Sequence, residues 1–91
     1  NGLNQSPQTK TTFTRNLTLG STGLDVKQLQ QFLNASGFPV ALTGLGSAGN
    51  ETMFFGAKTK IALGKFQRAH NIFPFQGFFG PLTRAYVNKL Q

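Results

Sequence analysis

Two segments in the second half of the chain have nearly the same sequence. Residues 53–67 read MFFGAKTKIALGKFQ and residues 77–91 read GFFGPLTRAYVNKLQ, an offset of 24 residues. A fainter copy lies upstream, and all three share the pattern T-x-x-x-φ-x-x-φ-Q, in which φ is apolar, beginning at Thr22, Thr59 and Thr83. Spacings of four and three place the threonine and both apolar positions on one helical face. Three copies of one helical pattern predict three helices built by duplication.

Capping and stop residues predict the bounds of the first helix. It is expected to begin at Ser21 or Thr22 and to end near Ser36. Thr22, followed three residues later by Asp25, resembles a capping box, in which two side chains bond free N–H groups at a helix start. Gly37 supplies the stop, since glycine readily takes the left-handed conformation that follows a helix. The predicted apolar stripe consists of Val26, Leu29, Phe32 and Leu33.

The other two helices follow the two similar segments. One is expected from Ala57 to about His70, and the last opens with Gly80 and Pro81, because proline fits the first helical position. Gly64, inside the second helix, costs about 1 kcal/mol against alanine unless close packing requires it. The expected apolar positions are Ile61, Leu63, Phe66 and Ala69 in the second helix and Ala85, Tyr86, Val87 and Leu90 in the third. The chain is therefore predicted to be an all-α three-helix bundle.

Each of the last two helices is preceded by the tripeptide Phe-Phe-Gly. Neighbouring side chains of an extended stretch point opposite ways, so one phenylalanine of each pair is expected in the core and the other nearer solvent. A long stretch rich in Gly, Ala and Ser, residues 37–56, separates the first two helices, and such stretches are often functional. A short extended pair around residues 38–41 and 53–55 is expected within it.

The start of the chain differs in composition from the rest. Residues 1–12 contain one large apolar side chain, Leu3. Such a segment cannot offset its own ordering entropy. The chain therefore divides into an N-terminal arm, residues 1–13, and a domain, residues 14–91. The arm has two interpretations: a flexible tether, or a tail that docks on a neighbouring molecule.

Short motifs follow one another in a fixed order over about residues 15–90. They are Leu19-Gly20-Ser21-Thr22-Gly23, Asp25-Val26 with Leu29-Gln30 and Leu33, Phe55-Gly56 with Thr59, Phe66-Gln67 with His70-Asn71, and Gly77-Phe78-Phe79-Gly80-Pro81 with Thr83 and Val87. This order resembles the peptidoglycan-binding domain of the small three-helix kind. The resemblance implies non-catalytic attachment to the bacterial cell wall, at the cell surface or outside the cell. The aspartate that the family usually has before the Gly-aromatic-Gly turn is replaced by Thr52 and Gln76.

The chain is poor in acids. Its 91 residues include nine basic residues (Lys and Arg together) but only two acidic ones (Asp and Glu together), which gives a net charge of +7. Wall peptides end in carboxylates and wall polymers often carry phosphates, and a basic surface attracts both over about 8–10 Å. Lys58, Lys60 and Arg84 lie in first helical turns, a placement that opposes the helix dipole but suits an anion near free N–H groups. They could equally be ordinary solvated bases.

The aromatic residues are almost all phenylalanine: ten Phe, one Tyr and no Trp. Most should be structural, yet ten is many for one small core, and the solvent-facing ones could form an exposed patch that marks a contact. The candidate ligand-binding residues are Phe54, Phe55, Lys58, Lys60, Gln67, Phe78, Phe79 and Arg84. The expected partner is peptidoglycan or another anionic cell-wall polymer.

Other function classes find little support in the residues. The chain has one histidine, His70, two acids, Asp25 and Glu51, and no cysteine. It therefore lacks the paired carboxylates of a glycosidase, a recognisable serine triad and an evident zinc site. No enzyme activity, metal or cofactor is expected. No apolar run approaches the about 20 residues of a membrane span. The bases form no dense run, so nucleic acid is not the expected partner.

Four asparagines head N-x-S/T sequons. Asn4, Asn16 and Asn50 are candidate glycosylation sites, whereas Asn34, late in the first helix, is a poorer one. The same pattern also arises by chance in a surface rich in Asn and Thr. Two functions stay open: a cell-wall-binding module, or a self-assembling subunit of a surface layer or filament whose residues 1–13 dock on the next copy.

Overall fold

A computed structural model describes residues 11–91 of the chain. Within that range the chain forms three helices: α1 (Leu24–Ala35), α2 (Ala57–Ala69) and α3 (Pro81–Leu90). Residues 11–91 form two isolated β-bridges and no longer strand. The predicted all-α three-helix fold is confirmed. The predictions for residues 1–10, which include Leu3 and the sequon at Asn4, lie outside the described residues.

The start of α1 differs from the prediction. Gly23 is its N-cap, and no side chain of residues 11–91 caps the helix. The predicted capping box is wrong, because Thr22 is exposed and forms a β-bridge with Phe54. The Asp25 carboxylate instead accepts hydrogen bonds of 2.7 and 2.9 Å from Arg15. A long-range partner thus replaces the local one.

The starts of α2 and α3 are nearly identical. Their N-caps, Gly56 and Gly80, have extended backbones with φ of −101° and −100°. Ala57 is the first residue of α2 and Pro81 the first of α3, as predicted. The two Phe-Phe-Gly segments therefore enter their helices in the same way.

One buried cluster unites the three helices. It consists of Phe13, Leu17, Val26, Leu29, Leu33, Val40, Phe55, Ala62, Leu63, Phe66, Ile72, Phe79 and Val87. Phe55 and Phe79 are fully buried, whereas Phe54 is 54% and Phe78 42% exposed. The predicted division of each phenylalanine pair between core and solvent is confirmed.

The buried faces of α2 and α3 differ in part from the predicted stripes. Leu63, Phe66 and Val87 are buried, but Ile61 and Leu90 are 58% and 50% exposed. Ala69 and Ala85 are also exposed, and Phe32 and Tyr86 are partly buried. Polar residues take the remaining core positions: Thr59, Gln67 and Thr83. Their hydrogen bonds within the protein make this burial tolerable.

The segment before α1 pairs with both Phe-Phe-Gly segments. The N–H and C=O groups of Leu17 bond those of Phe79 at 3.0 and 2.9 Å. Gly20 donates to the carbonyl of Phe55 at 2.8 Å, and Phe55 donates to that of Ser21 at 2.9 Å. The expected extended pair of residues 38–41 with 53–55 is therefore wrong, because residues 20–23 occupy the pairing groups of the second stretch.

Asn34 organises the long connection between α1 and α2. Its Oδ1 accepts the N–H of Val40 at 2.8 Å. Its Nδ2 donates to the carbonyl of Gly46 at 3.0 Å and to Glu51 Oε2 at 2.8 Å. One side chain near the end of α1 thus holds three points of the connection, and Val40 is drawn into the core.

The folded unit extends into the predicted arm. Phe13 is 3% exposed, and its ring lies 5.0 Å from that of Phe79, edge to face. Asn88 accepts the N–H of Phe13 at 2.8 Å and donates to its carbonyl at 3.0 Å. Gln91 contacts Thr11 in the same two-sided way, at 3.4 and 2.6 Å. Phe13, which the sequence assigns to the arm, thus packs against α3 and the turn before it.

Candidate functional site

Two buried glutamines fix the turns before α2 and α3. Gln30 Nε2 donates to the carbonyl of Phe54 and to Thr59 Oγ1, both at 3.0 Å, and its Oε1 accepts the N–H of Thr52 at 2.7 Å. Gln30, midway along α1, therefore holds the Phe-Phe-Gly turn before α2 in place.

Gln67 repeats this arrangement one helix later. Its Nε2 donates to the carbonyl of Phe78 at 2.8 Å and to Thr83 Oγ1 at 3.0 Å. Its Oε1 accepts the N–H of Gly77 at 2.8 Å. The Thr and Gln of the sequence pattern thus bond across helices rather than to a ligand.

Thr52 stands where the family pattern has an aspartate. Its Oγ1 accepts the N–H of Phe54 at 3.3 Å, the bond that an aspartate two residues upstream would also make. Gln76, at the matching place in the second turn, is exposed and lines a surface groove. The first turn therefore keeps its local bond without the aspartate.

A shallow hollow lies at each of the two turns. The Phe54 hollow has a volume of about 340 Å³ and is lined by Gln30, Val40, Leu45, Gly46, Thr52, Phe54, Gly56, Ala57, Lys58 and Thr59. The Phe78 hollow, about 150 Å³, is lined by Gln67, Phe73, Pro74, Phe78, Gly80, Pro81, Leu82 and Thr83. Five lining positions correspond at the offset of 24, and at one of them Lys58 of the first hollow is replaced by Leu82 in the second.

The glycine of each turn makes room for the exposed phenylalanine. A Cβ on Gly56 would lie 3.2 Å from the ring of Phe54, and one on Gly80 would lie 2.6 Å from the ring of Phe78. Each ring therefore folds against the start of the helix that follows it, and this contact shapes the floor of the hollow.

Two grooves run along the exposed side of α2. One, about 390 Å³, is lined by Lys58, Ile61 and Lys65 together with residues 39–43 and Ala62. The other, about 740 Å³, lies on the far side of Ile61 and is lined by Thr18, Lys60, Ile61, Phe75, Gln76 and Phe78. We call Lys58, Lys60, Ile61 and Lys65 the α2 face. No acidic side chain lines either groove.

Both acids of the chain are engaged away from this face. Hydrogen bonds from Arg15 lower the pKa of Asp25 below its ordinary value. Burial alone would raise the pKa of Glu51, but hydrogen bonds from Asn34 and from the N–H groups of Glu51 and Gly49 outweigh it and lower that pKa. Among residues 11–91 the ion pair is Arg15–Asp25. Within residues 11–91, none of the lysines of the α2 face forms an ion pair.

The structure distributes the eight candidate residues between surface and core. Phe54, Phe78, Lys58 and Lys60 are exposed and line the hollows or grooves. Phe55, Phe79 and Gln67 are buried and offer no side-chain surface to a ligand. Arg84 bonds Asn16 Oδ1, which ties α3 to the segment before α1.

Several residues that line the hollows and grooves were not predicted from the sequence. Ile61 and Lys65 follow Lys58 by three and seven positions, so helical spacing from Lys58 would have found them. Val40 and Leu45 come from the long connection, and no local pattern indicates that they reach Phe54. The part of the Phe54 hollow that Val40 and Leu45 form therefore depends on the hydrogen bonds that Asn34 makes to the connection.

The described part of the chain was also searched for metal sites, membrane-spanning helices and glycosylation sites. Residues 11–91 hold no group of three His, Cys, Asp or Glu side chains that could bind a metal ion. None of the three helices is long and apolar enough to cross a membrane. Of the sequons within this range, Asn50 donates to Ser47 Oγ and Asn16 accepts from Arg84, and both asparagines are exposed.

Comparison with known proteins gives one family. The model of the peptidoglycan binding domain matches residues 22–85, which include α1, α2 and the first half of α3. Searches of the curated proteins and of the solved structures found no significant match. The match covers well over half of the chain and carries the motifs from Thr22 to Thr83. The chain therefore belongs to the peptidoglycan binding domain family.

Proposed function

We propose that this domain is a non-catalytic module that attaches its protein to peptidoglycan at the bacterial cell surface through the α2 face and the two exposed phenylalanines. The observation that carries the proposal is a basic, acid-free surface beside two apolar hollows in a chain of this family.

Charge supports this choice of surface. Lys58 and Lys65 line one groove of α2 and Lys60 lines the other, and neither groove is lined by an Asp or Glu. Free carboxylates and phosphates of the wall are attracted to such a surface within about one Debye length. Phe54 and Phe78 add half-exposed apolar area at its edges. Long-range attraction and short-range apolar contact thus act at the same place.

Sedimentation with purified peptidoglycan tests the proposal. We expect the wild-type domain to sediment with the insoluble wall at low salt and to release no soluble wall fragments. Lys58→Gln with Lys60→Gln should weaken binding about fivefold, since exposed ion pairs contribute up to about 1 kcal/mol each. Protein that stays in solution with the wall at low salt would overturn the proposal.

A matched variant separates this face from net charge. Lys27→Gln with Lys89→Gln removes the same two charges, but neither residue lines a groove of the α2 face. This control should lose less than about twofold in affinity. Equal losses in the two double variants would assign wall binding to net charge and overturn the assignment to the α2 face.

Self-assembly through residues 1–13 has weaker support. Asn88 and Gln91 of the same chain already bond the backbone of Phe13 and Thr11, so these two residues are engaged within their own domain. The wall-binding proposal is therefore the one that we carry forward.

A further inference from the structure

We propose that the Phe54 hollow binds the free carboxyl end of a short alanine-containing peptide, so that the domain contacts the peptide part of the wall rather than its glycan strands. The inference rests on the proposed function and narrows it to one site and one chemical class. Three features of the hollow lead to it: its apolar floor, its occupied polar groups and its single charge.

The walls of the hollow suit small apolar side chains. Phe54 and Leu45 are 54% and 80% exposed, and Val40 and Ala57 complete an almost entirely apolar surface. The volume of about 340 Å³ is at the small end of ligand pockets. Methyl groups of alanine residues would cover apolar surface here without losing hydrogen bonds to water.

The polar groups of the hollow are already used by the protein. Gln30 donates from Nε2 to Thr59 and to the carbonyl of Phe54, and its Oε1 accepts the N–H of Thr52. Thr52 Oγ1 is in turn bonded to the backbone of Phe54. A sugar ring carries hydroxyl groups around its whole edge, whereas an alanine residue offers a methyl group that needs no hydrogen bond. A polar group buried without a partner costs free energy. The hollow therefore favours a peptide over a glycan.

One charge marks the rim. Lys58 is the charged residue among those that line the hollow, and no acid lines it. The start of α2, which also borders the hollow, has no side-chain cap. A carboxylate placed at this rim would meet the ammonium group of Lys58 beside a positive helix end. Charge complementarity thus selects a ligand that ends in a carboxylate.

The Phe78 hollow provides a control within the same molecule. It has the same frame of phenylalanine, glycine, threonine and glutamine, but Pro81 and Leu82 replace Ala57 and Lys58. It is smaller, about 150 Å³, and no charged residue of the described part of the chain lines it. It should therefore not distinguish an acid from an amide.

The test uses the acetylated tripeptide Lys-D-Ala-D-Ala and its C-terminal amide, titrated into isotopically labelled protein by NMR. We expect the acid to shift the amide signals of residues 54–59, and the amide to bind about fivefold more weakly. Phe54→Ala should weaken binding of the acid about fivefold or more.

A charge exchange gives the sharpest variant. Lys58→Leu with Leu82→Lys keeps the net charge at +7 and exchanges two exposed residues at corresponding positions. The exchanged protein should lose its preference for the acid over the amide at residues 54–59. An unchanged preference there, or equal binding of acid and amide by the wild-type protein, would overturn the inference.

Failure of this inference is distinguishable from failure of the proposed function. The same wild-type preparation is sedimented with intact peptidoglycan and with glycan strands from which the peptides have been removed. Binding to the intact wall with no response to the tripeptide, or equal binding to the stripped glycan, would overturn the peptide site and leave wall attachment standing. Absence of binding to the intact wall would overturn the proposed function itself.

Discussion

At the scale of single residues, two glutamine side chains hold much of the molecule in place. Gln30 and Gln67 are each 1% exposed, and each amide bonds the backbone of a turn and a threonine on the next helix. A buried amide is costly without partners and stabilising with them. Each therefore fixes one helix start relative to the helix before it.

The first prediction concerns Gln67. Gln67→Leu keeps the approximate volume but leaves the N–H of Gly77 and the carbonyl of Phe78 without their partner. We expect it to lower the free energy of unfolding by about 2–4 kcal/mol, as measured by urea denaturation. Thr83→Val removes one bond of the same network and should cost about 1 kcal/mol. A Gln67→Leu protein within about 0.5 kcal/mol of wild type would contradict this role.

At the scale of elements, α2 and the turn that follows it meet at two glycines with opposite requirements. A Cβ on Gly64 would lie 3.4 Å from the carbonyl oxygen of Phe75 and 3.7 Å from the nitrogen of Gly77, which are ordinary contact distances. A Cβ on Gly77 would lie 2.4 Å from the carbonyl oxygen of Lys60, and the φ of Gly77 is +74°. Close packing therefore requires glycine at the second position and not at the first.

The second prediction follows from this difference. Gly64→Ala should raise the free energy of unfolding by about 0.5–1 kcal/mol, because alanine loses less backbone entropy inside a helix. Gly77→Ala should lower it by about 2 kcal/mol or more, since the backbone and the helix carbonyl must both move. Thermal unfolding followed by circular dichroism compares the two. A destabilised Gly64→Ala protein would show that α2 approaches the turn more closely than the structure indicates.

At the scale of the whole molecule, the two ends of the described chain lie together. Asn88 and Gln91 at the end of α3 hold the backbone of Phe13 and Thr11, and the ring of Phe13 packs on Phe79. The α3 helix buries two residues of its own, Thr83 and Val87, so this segment supplies part of its cover. The domain thus depends on residues that precede its family motifs.

The third prediction tests this dependence. Phe13→Ala should lower the free energy of unfolding by about 3 kcal/mol, the usual cost of emptying a buried phenylalanine site. Thr12→Ala, at the exposed neighbouring position, should change it by less than about 0.5 kcal/mol. Guanidinium denaturation of the wild type and the two variants measures these differences in the free energy of unfolding. Equal stability of Phe13→Ala and wild type would assign Phe13 to the arm, as its polar surroundings in sequence indicate.

The sequence by itself determined the features that depend on neighbours along the chain. Spacings of three and four predicted the helices, Gly80 and Pro81 predicted the start of α3, and Gly37 predicted the end of α1. Alternation divided each phenylalanine pair between core and solvent. These features follow from backbone geometry, which acts within a few residues. The order of the motifs also indicated the family.

Tertiary structure alone decided which polar groups find distant partners. Asp25 bonds Arg15 instead of capping α1, and the backbone groups of Phe55 pair with residues 20–23 instead of residues 38–41. Asn88 bonds the backbone of the buried Phe13, which lies 75 positions away in the sequence. Such bonds join residues that no local pattern relates, and they form because a buried polar group without a partner is costly. For the same reason the Phe54 hollow has a wall from the long connection that the sequence could not indicate.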